Sequence, residues 1–168
     1  WLAVVQGDPI VIPPGLTARL TAQVVQLVAE KHIAPVSDPH IERLTDADAP
    51  EMLALADLTK PGPFSLRSIS LGEFWGIRRD GKLIAMAGER FKFPGISELS
   101  GVCSHPDARG QGLGRLLSVF QAARIMARGE TPFLHAYTTN AAAIGLYQSI
   151  GFRLRATLNV AMLEHSGA

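Results

Sequence analysis

The chain has a single cysteine, Cys103, so no internal disulfide can form and a reducing compartment, the cytoplasm, is the expected setting. Long apolar runs are also missing. None approaches the roughly 18 to 20 residues that cross a bilayer, so no membrane partner is expected. The chain opens at Trp1 without a charged segment followed by an apolar one, which gives no sign of a signal peptide. Charge of one sign is lacking as well. Sixteen Lys plus Arg face fifteen Asp plus Glu, no basic run appears, and nucleic acid drops out as an expected partner. Neither H-x-x-x-H spacing nor a Cys/His cluster occurs, so no metal is expected. Internal repeats and low-complexity tracts are absent.

What remains fits one compact domain. Its 168 residues are 47% apolar and 18% charged, enough for a sizeable core and too few for two comfortable domains. Residues 1–40 read as a β-rich extension or half-sheet of open role. "LAVVQG" suits a short strand, "DPIVIPPG" a proline-broken connector, and "AQVVQLVAE" (22–30) a strand, although its apolar spacing also admits a helix. This segment could serve as a lid, a second half-sheet or a contact in a homodimer.

From residue 41 onward the punctuation is clearer. Thr45, Asp46 and Asp48 offer cap oxygens, Pro50 suits a first helical turn, and Met52, Leu53, Leu55, Ala56 and Leu58 supply an apolar face that "KPGP" ends. "EFWGIRR" and "KLIAMAGERFKF" flank Asp80-Gly81, a hairpin signal, and Pro94-Gly95 turns the chain into "ISELSGVCS". A helix follows over 112–128, with Leu113, Leu116, Leu117, Phe120, Ala123 and Ile125 expected inward. "PFLHAYT" is a strand, "NAAAIGLYQSI" a helix capped by Asn140, and "GFRLRATLNVAML" a last strand. Helices placed between strands require at least one parallel crossover. The expected fold class is therefore α+β: a mixed central sheet, antiparallel meander plus parallel crossover, flanked by helices.

The stretch "HPDARGQGLGRLL" packs Arg109, Gly110, Gly112 and Gly114 into six residues at the mouth of a helix. A P-loop is excluded because no Lys follows the last glycine. A dinucleotide fingerprint is disfavoured by the G-x-G-x-G spacing and by Glu130 lying on the wrong side of the next strand. A pyrophosphate seat fits better. Over Gly110, Gln111, Gly112, Leu113, Gly114 and Arg115, successive backbone N–H groups can face one anion, helped by the helix dipole and by Arg109 and Arg115.

R-G-Q-G-L-G resembles the [QR]-x-x-G-x-[GA] acetyl-CoA signature of the GCN5-related N-acetyltransferase (GNAT) superfamily. "NAAAIGLYQSIGF" is similar to the second half of that pattern, N-x-x-A-x-x-L-Y-x-x-x-G-F. The two together span residues 99–152, a weaker likeness reaches back to Ile41, and residues 1–40 match nothing specific. The resemblance makes 41–168 the GNAT domain and implies direct transfer of an acetyl group from acetyl-CoA to a primary amine, on a small molecule or a peptide. The alternative is a CoA-binding sensor without turnover.

The resemblance also implies roles. Gly110–Arg115 would hold the pyrophosphate, and the strand end Val102, Cys103 and Ser104 would pair with the pantetheine arm. Asn140 would cap its helix and touch CoA, and Tyr147 would sit at the sulfur as general acid. An acyl-cysteine on Cys103 is not required, and a buried strand position is its expected role. For the general base three readings stand: His135, whose imidazole can take a proton near neutral pH; Glu98, with a solvated carboxylate as its plain alternative; or a water chain with no single owner. His105 reads as loop surface. The acceptor groove is expected along 59–74, where Phe64, Phe74 and Trp75 could line a pocket or belong to the core.

Overall fold

A computed structural model of the chain describes residues 2–166; Trp1 and residues 167–168, at the ends of the two expected segments, lie outside the described residues. Eight strands form one sheet: β1 (Leu2–Gln6), β2 (Leu16–Ala29), β3 (Ile41–Arg43), β4 (Phe74–Arg79), β5 (Lys82–Phe93), β6 (Ile96–Ser104), β7 (Thr131–Tyr137) and β8 (Phe152–His165). Their spatial order is β1-β8-β2-β7-β6-β5-β4-β3. Only β6 and β7 run parallel among these pairs, joined through helix α2 (Leu113–Ala127). The expected meander and crossover are both present, with α1 (Ala49–Thr59) and α3 (Ala141–Ser149) as the other helices.

The turns account for most of this. Asp80 and Gly81 both take positive φ between β4 and β5, and Gly95 does so between β5 and β6. Lys60 closes α1 in the left-handed region, and its N–H donates to the Ala56 carbonyl. Asn140 caps α3 by accepting from the Ala143 N–H at 3.1 Å. "AQVVQLVAE" is strand rather than helix because β2 lies between β7 and β8 and pairs with both. Its alternating Val25 and Leu27 enter the main core.

Two cores sit on opposite faces of the sheet. Helices α2 and α3 cover one, where Ala85, Ala87, Leu99, Leu117 and Leu134 meet. Helix α1 covers part of the other with Met52, Leu55 and Ala56 against Leu83, Met86 and Cys103. The inward face of α2 differs from the apolar periodicity. Leu117, Ala123 and Ile125 are buried, but Leu113, Leu116 and Phe120 are only partly so, while Ser118 and Gln121 are fully enclosed. Ser118 donates to the Gly114 carbonyl at 2.7 Å, and the Gln121 NH2 donates to buried Glu89, while the Gln121 side-chain oxygen has no partner among the described residues. Glu89 also receives Arg128 at 3.0 Å and Lys92 at 2.7 Å, so its charge is well neutralised. Leu58, expected on the buried face of α1, is 53% exposed.

Candidate active site

The sheet opens where β6 and β7 part. Their parallel ladder lasts only from Ile96–Thr131 to Glu98–Phe133. From there β6 carries a bulge. Met86 pairs with Cys103 and Gly88 with Ser100, so Gly101 and Val102 together oppose Ala87. Gly101 has φ +65, and a Cβ there would meet the Phe74 ring at 3.0 Å, so glycine is the residue this bulge admits. The extra residue also switches the faces of the strand. Leu99 packs under α2, yet Cys103, four residues on, packs under α1. The gap between the strands is a pocket bordered by Leu99, Gly101 and Val102 of β6, His135 of β7, and Asn140 and Tyr147 of α3 and its cap. Along it, β6 has no β7 partner for its backbone groups.

The glycine loop lies at the N-terminus of α2. Gly110 and Gly112 have φ near +76 and +77, and a Cβ on either would meet nothing within 4 Å. Helical bonding begins with the Leu116 N–H donating to the Gly112 carbonyl at 2.9 Å. The N–H groups of Gly110, Gln111, Gly112, Leu113, Gly114 and Arg115 therefore have no backbone acceptor among the described residues. Gly114 sits closer to the sheet, within 4.0 Å of Val102 and 3.9 Å of the Ser104 hydroxyl for a hypothetical Cβ, which lets α2 start directly over the end of β6. The Gln111 side chain is held back from the loop face by Arg79 and by the Asp107 carbonyl. Arg109 and Arg115 are exposed beside it. His105 accepts from the Asp107 N–H at 3.3 Å in the turn before the loop, a structural role.

Tyr147 projects from α3 into the pocket, 9% exposed, its ring edge-on to Phe152. Burial pushes its phenol up to about 12, so the group stays protonated at neutral pH. Cys103 is buried, and burial pushes its thiol up to about 11 despite a hydrogen bond with Thr59. A nucleophilic thiolate is not available there, in line with the expected strand role. Iodoacetamide at pH 8 should therefore leave Cys103 unmodified in the folded protein, and alkylate it once denaturant is added. Mass-shift analysis before and after unfolding checks this.

Glu98 is 1% exposed, not solvated. Arg90 grips it with two nitrogens, at 2.9 Å and 2.8 Å, and the Phe91 N–H adds a bond at 3.3 Å. The irregular pairing of β5 and β6 between Glu89 and Lys92 brings both donors there. Burial alone would raise the Glu98 carboxyl, but the bonds from Arg90 and His135 outweigh it and hold it below the usual range. Both oxygens are engaged, so Glu98 stands beside His135 as a buried, oriented anion rather than the solvated carboxylate that was its plain alternative.

His135 Nδ1 lies 2.7 Å from Glu98 Oε1. Its other nitrogen, Nε2, lies 3.1 Å from Nε2 of Gln26, the residue directly opposite it on β2. The Gln26 oxygen in turn accepts from Arg155 of β8. Arg155 has only hydrogens to offer, so it fixes which end of the Gln26 amide is oxygen and leaves the NH2 facing His135. His135 Nε2 is then an acceptor and Nδ1–H donates to Glu98. The imidazole is held in the tautomer a base requires, with its lone pair resting against an amide. Gln26, Arg155 and Arg90 escape sequence reasoning. The one available signal was a polar glutamine inside the apolar run of β2.

Of the expected groove residues, Phe64 borders the pocket and packs edge-on to Phe74 with centroids 5.7 Å apart. Phe74 is 2% exposed core, and Trp75 packs on Phe120 and under the Arg124 guanidinium. Lys60 to Phe64 line the opening, whereas the stretch 67–74 does not. Among the described residues no helix is long and apolar enough to cross a membrane.

Comparison with known proteins agrees with this geometry. Residues 74–160 match the family model described as FR47-like protein. A GNAT-family acetyltransferase from Novosphingobium aromaticivorans DSM 12444 superposes with a TM-score of 0.92 at 42% identity, over 98% of this chain and 74% of that one. A GNAT-family acetyltransferase from Colwellia psychrerythraea aligns at 0.69 and 16% identity, over 88% of this chain and 58% of that one. The ribosomal-protein-S18-alanine N-acetyltransferase of Escherichia coli aligns at 0.60 and 24% identity, over 76% and 95% respectively. The last two show likeness of fold. A search of curated proteins returns no match. With the bulged strand, the open glycine loop and the relative from N. aromaticivorans in agreement, the chain belongs to the GCN5-related N-acetyltransferase superfamily and is an N-acetyltransferase.

Proposed function

We propose that the protein moves an acetyl group from acetyl-CoA to a primary amine, with the pyrophosphate seated on Gly110–Arg115 and His135 as general base. The observation that carries this reading is the run of six backbone N–H groups without backbone acceptors at the start of α2, where Gly114 approaches Val102, a residue that borders the β6–β7 opening. Such a run fits an anion: the donors have no backbone acceptor to give up, and the helix dipole has the right sign. Val102, Cys103 and Ser104 would offer main-chain groups to the pantetheine arm in the manner of an added strand. Asn140 lines the same opening, although its side-chain oxygen is already committed to the helix cap.

Bound acetyl-CoA supplies the acetyl group as a thioester; a C–N bond to the amine forms as the C–S bond breaks. The residues handle the protons. The Arg90–Glu98 pair holds Nδ1–H of His135, and Nε2 takes the amine proton once Gln26 moves aside. The rise of charge on the imidazole is met by a buried carboxylate at 2.7 Å. Tyr147 stays protonated at neutral pH and can donate to the sulfur as it leaves. Residues 1–40 belong to this domain in our reading, since β2 contributes Gln26 and separates β7 from β8. A cytoplasmic setting accords with the single cysteine.

Free thiol should appear when the protein is given acetyl-CoA and a panel of primary amines. Micromolar acetyl-CoA binding by calorimetry with no thiol released by any amine would favour a sensor instead. The Tyr147→Phe variant should lose roughly 100-fold in kcat while its acetyl-CoA affinity stays within about twofold. Unchanged kcat would remove Tyr147 as the acid.

A further inference from the structure

His135 borders two pockets. One holds the β6 edge and Tyr147; the other, on its far side, holds Gln26, Arg155 and an apolar wall of Phe91, Phe93, Ile96 and Phe133. The aromatic rings of the wall are contiguous. Phe93 stands 6.5 Å from both Phe91 and Phe133, and Phe133 meets His135 edge-on at 5.7 Å. This surface is open, with Phe93 56% and Ile96 38% exposed. At its polar end Arg155 is exposed, and the side-chain partner it has among the described residues is the Gln26 oxygen, with no carboxylate beside it.

The Gln26 carboxamide thus bridges a base and a cation, giving an N–H to His135 and an oxygen to Arg155. An α-amino acid presents the same pair of groups one bond further apart: an amine for the base and a carboxylate for the guanidinium. The carboxylate is the better match, because a charge-assisted and bidentate bond to arginine outcompetes a neutral amide oxygen. Taking Arg155 from Gln26 also removes what fixes the amide against His135 and so frees Nε2 for the amine.

We infer that the acceptor is a free α-amino acid with an apolar or aromatic side chain, its carboxylate on Arg155, its amine at His135 and its side chain on the Phe91–Phe93–Phe133 wall. This rests on the amine-transfer reading and narrows it. The wall gives the side chain apolar area to bury, and Arg155 separates an amino acid from an amine lacking the carboxylate.

The test compares L-phenylalanine with 2-phenylethylamine, which lacks only the carboxylate, by thiol release. Wild-type protein should favour L-phenylalanine at least about tenfold in kcat/KM, the scale of one charged hydrogen-bonded pair. Arg155→Ala should bring the ratio of kcat/KM for L-phenylalanine over 2-phenylethylamine to about one, and Arg155→Lys should restore part of the preference. Calorimetry in the presence of free CoA gives a readout apart from turnover: L-phenylalanine binds the wild type and not Arg155→Ala. Phe93→Ala should lower kcat/KM for L-phenylalanine relative to that for glycine. Equal kcat/KM for the two amines in the wild type overturns the inference alone. So does a preference that survives Arg155→Ala, which would put the carboxylate on another cation such as Lys60. No turnover with any amine overturns the amine-transfer reading and this inference with it.

Discussion

Gly112→Asp should abolish acetyl-CoA binding while the protein stays folded. Nothing lies within 4 Å of a Cβ at this position, so the added side chain has room. Aspartate is among the residues that tolerate left-handed backbone, and a carboxylate at the N-terminus of α2 is favoured by the helix dipole. Those same facts make it damaging to binding. The carboxylate takes up N–H groups meant for the pyrophosphate and sets a negative charge against two more. Loss of two charge-assisted hydrogen bonds, at about 1.5–3 kcal/mol each, corresponds to at least about 100-fold in Kd. Gly112→Ala carries the backbone strain without the charge and should lose far less. Calorimetry on both variants, with melting curves as the control for folding, decides the matter. Unchanged affinity in a folded Gly112→Asp protein would place the phosphates elsewhere.

The open glycine loop was legible in the sequence because its conformation is local. The glycines, the helix that follows and the absence of a Lys all lie within one short stretch, and dihedral freedom at Gly110 and Gly112 follows from residue type. Most boundaries from α1 onward were legible for the same reason, marked by turn dipeptides or caps, but β3 at Ile41–Arg43 was not expected and β2 begins at Leu16 rather than at residue 22. What sequence could not give was pairing at a distance. Gln26 meets His135 across 109 residues, because β2 is inserted between β7 and β8, and no periodicity in either strand encodes that neighbour. The bulge at Gly101 had a comparable effect. Counting by twos puts Leu99 and Cys103 on one face, and the extra residue sends them to different cores. The enclosed Glu98 and the polar inner face of α2 share one cause. Each is paid for by an arginine or glutamine whose approach depends on tertiary packing, which hydrophobic patterning does not record.

His135→Ala should lower kcat by about 100- to 10,000-fold and leave acetyl-CoA affinity close to wild type, the split expected for loss of a general base. The side chain is only 10% exposed, so the variant also loses packing against Phe133, and folding must be checked by melting. Added imidazole distinguishes chemistry from packing. A free base that enters the vacated space restores turnover in His135→Ala, whereas a purely structural loss is not rescued. Glu98 supplies a sharper check on the same assignment. Its oxygens meet Arg90, the Phe91 N–H and His135, so any contribution to proton transfer passes through the imidazole. Glu98→Gln should slow the wild type, because a neutral amide holds Nδ1–H less firmly and does not balance the imidazolium. In the His135→Ala background the same change should cost little further turnover, since the group it orients is gone. Additive losses in the double variant would mean that Glu98 acts on the reaction by some other route. Wild-type turnover in His135→Ala would give the proton to a water chain with no single owner.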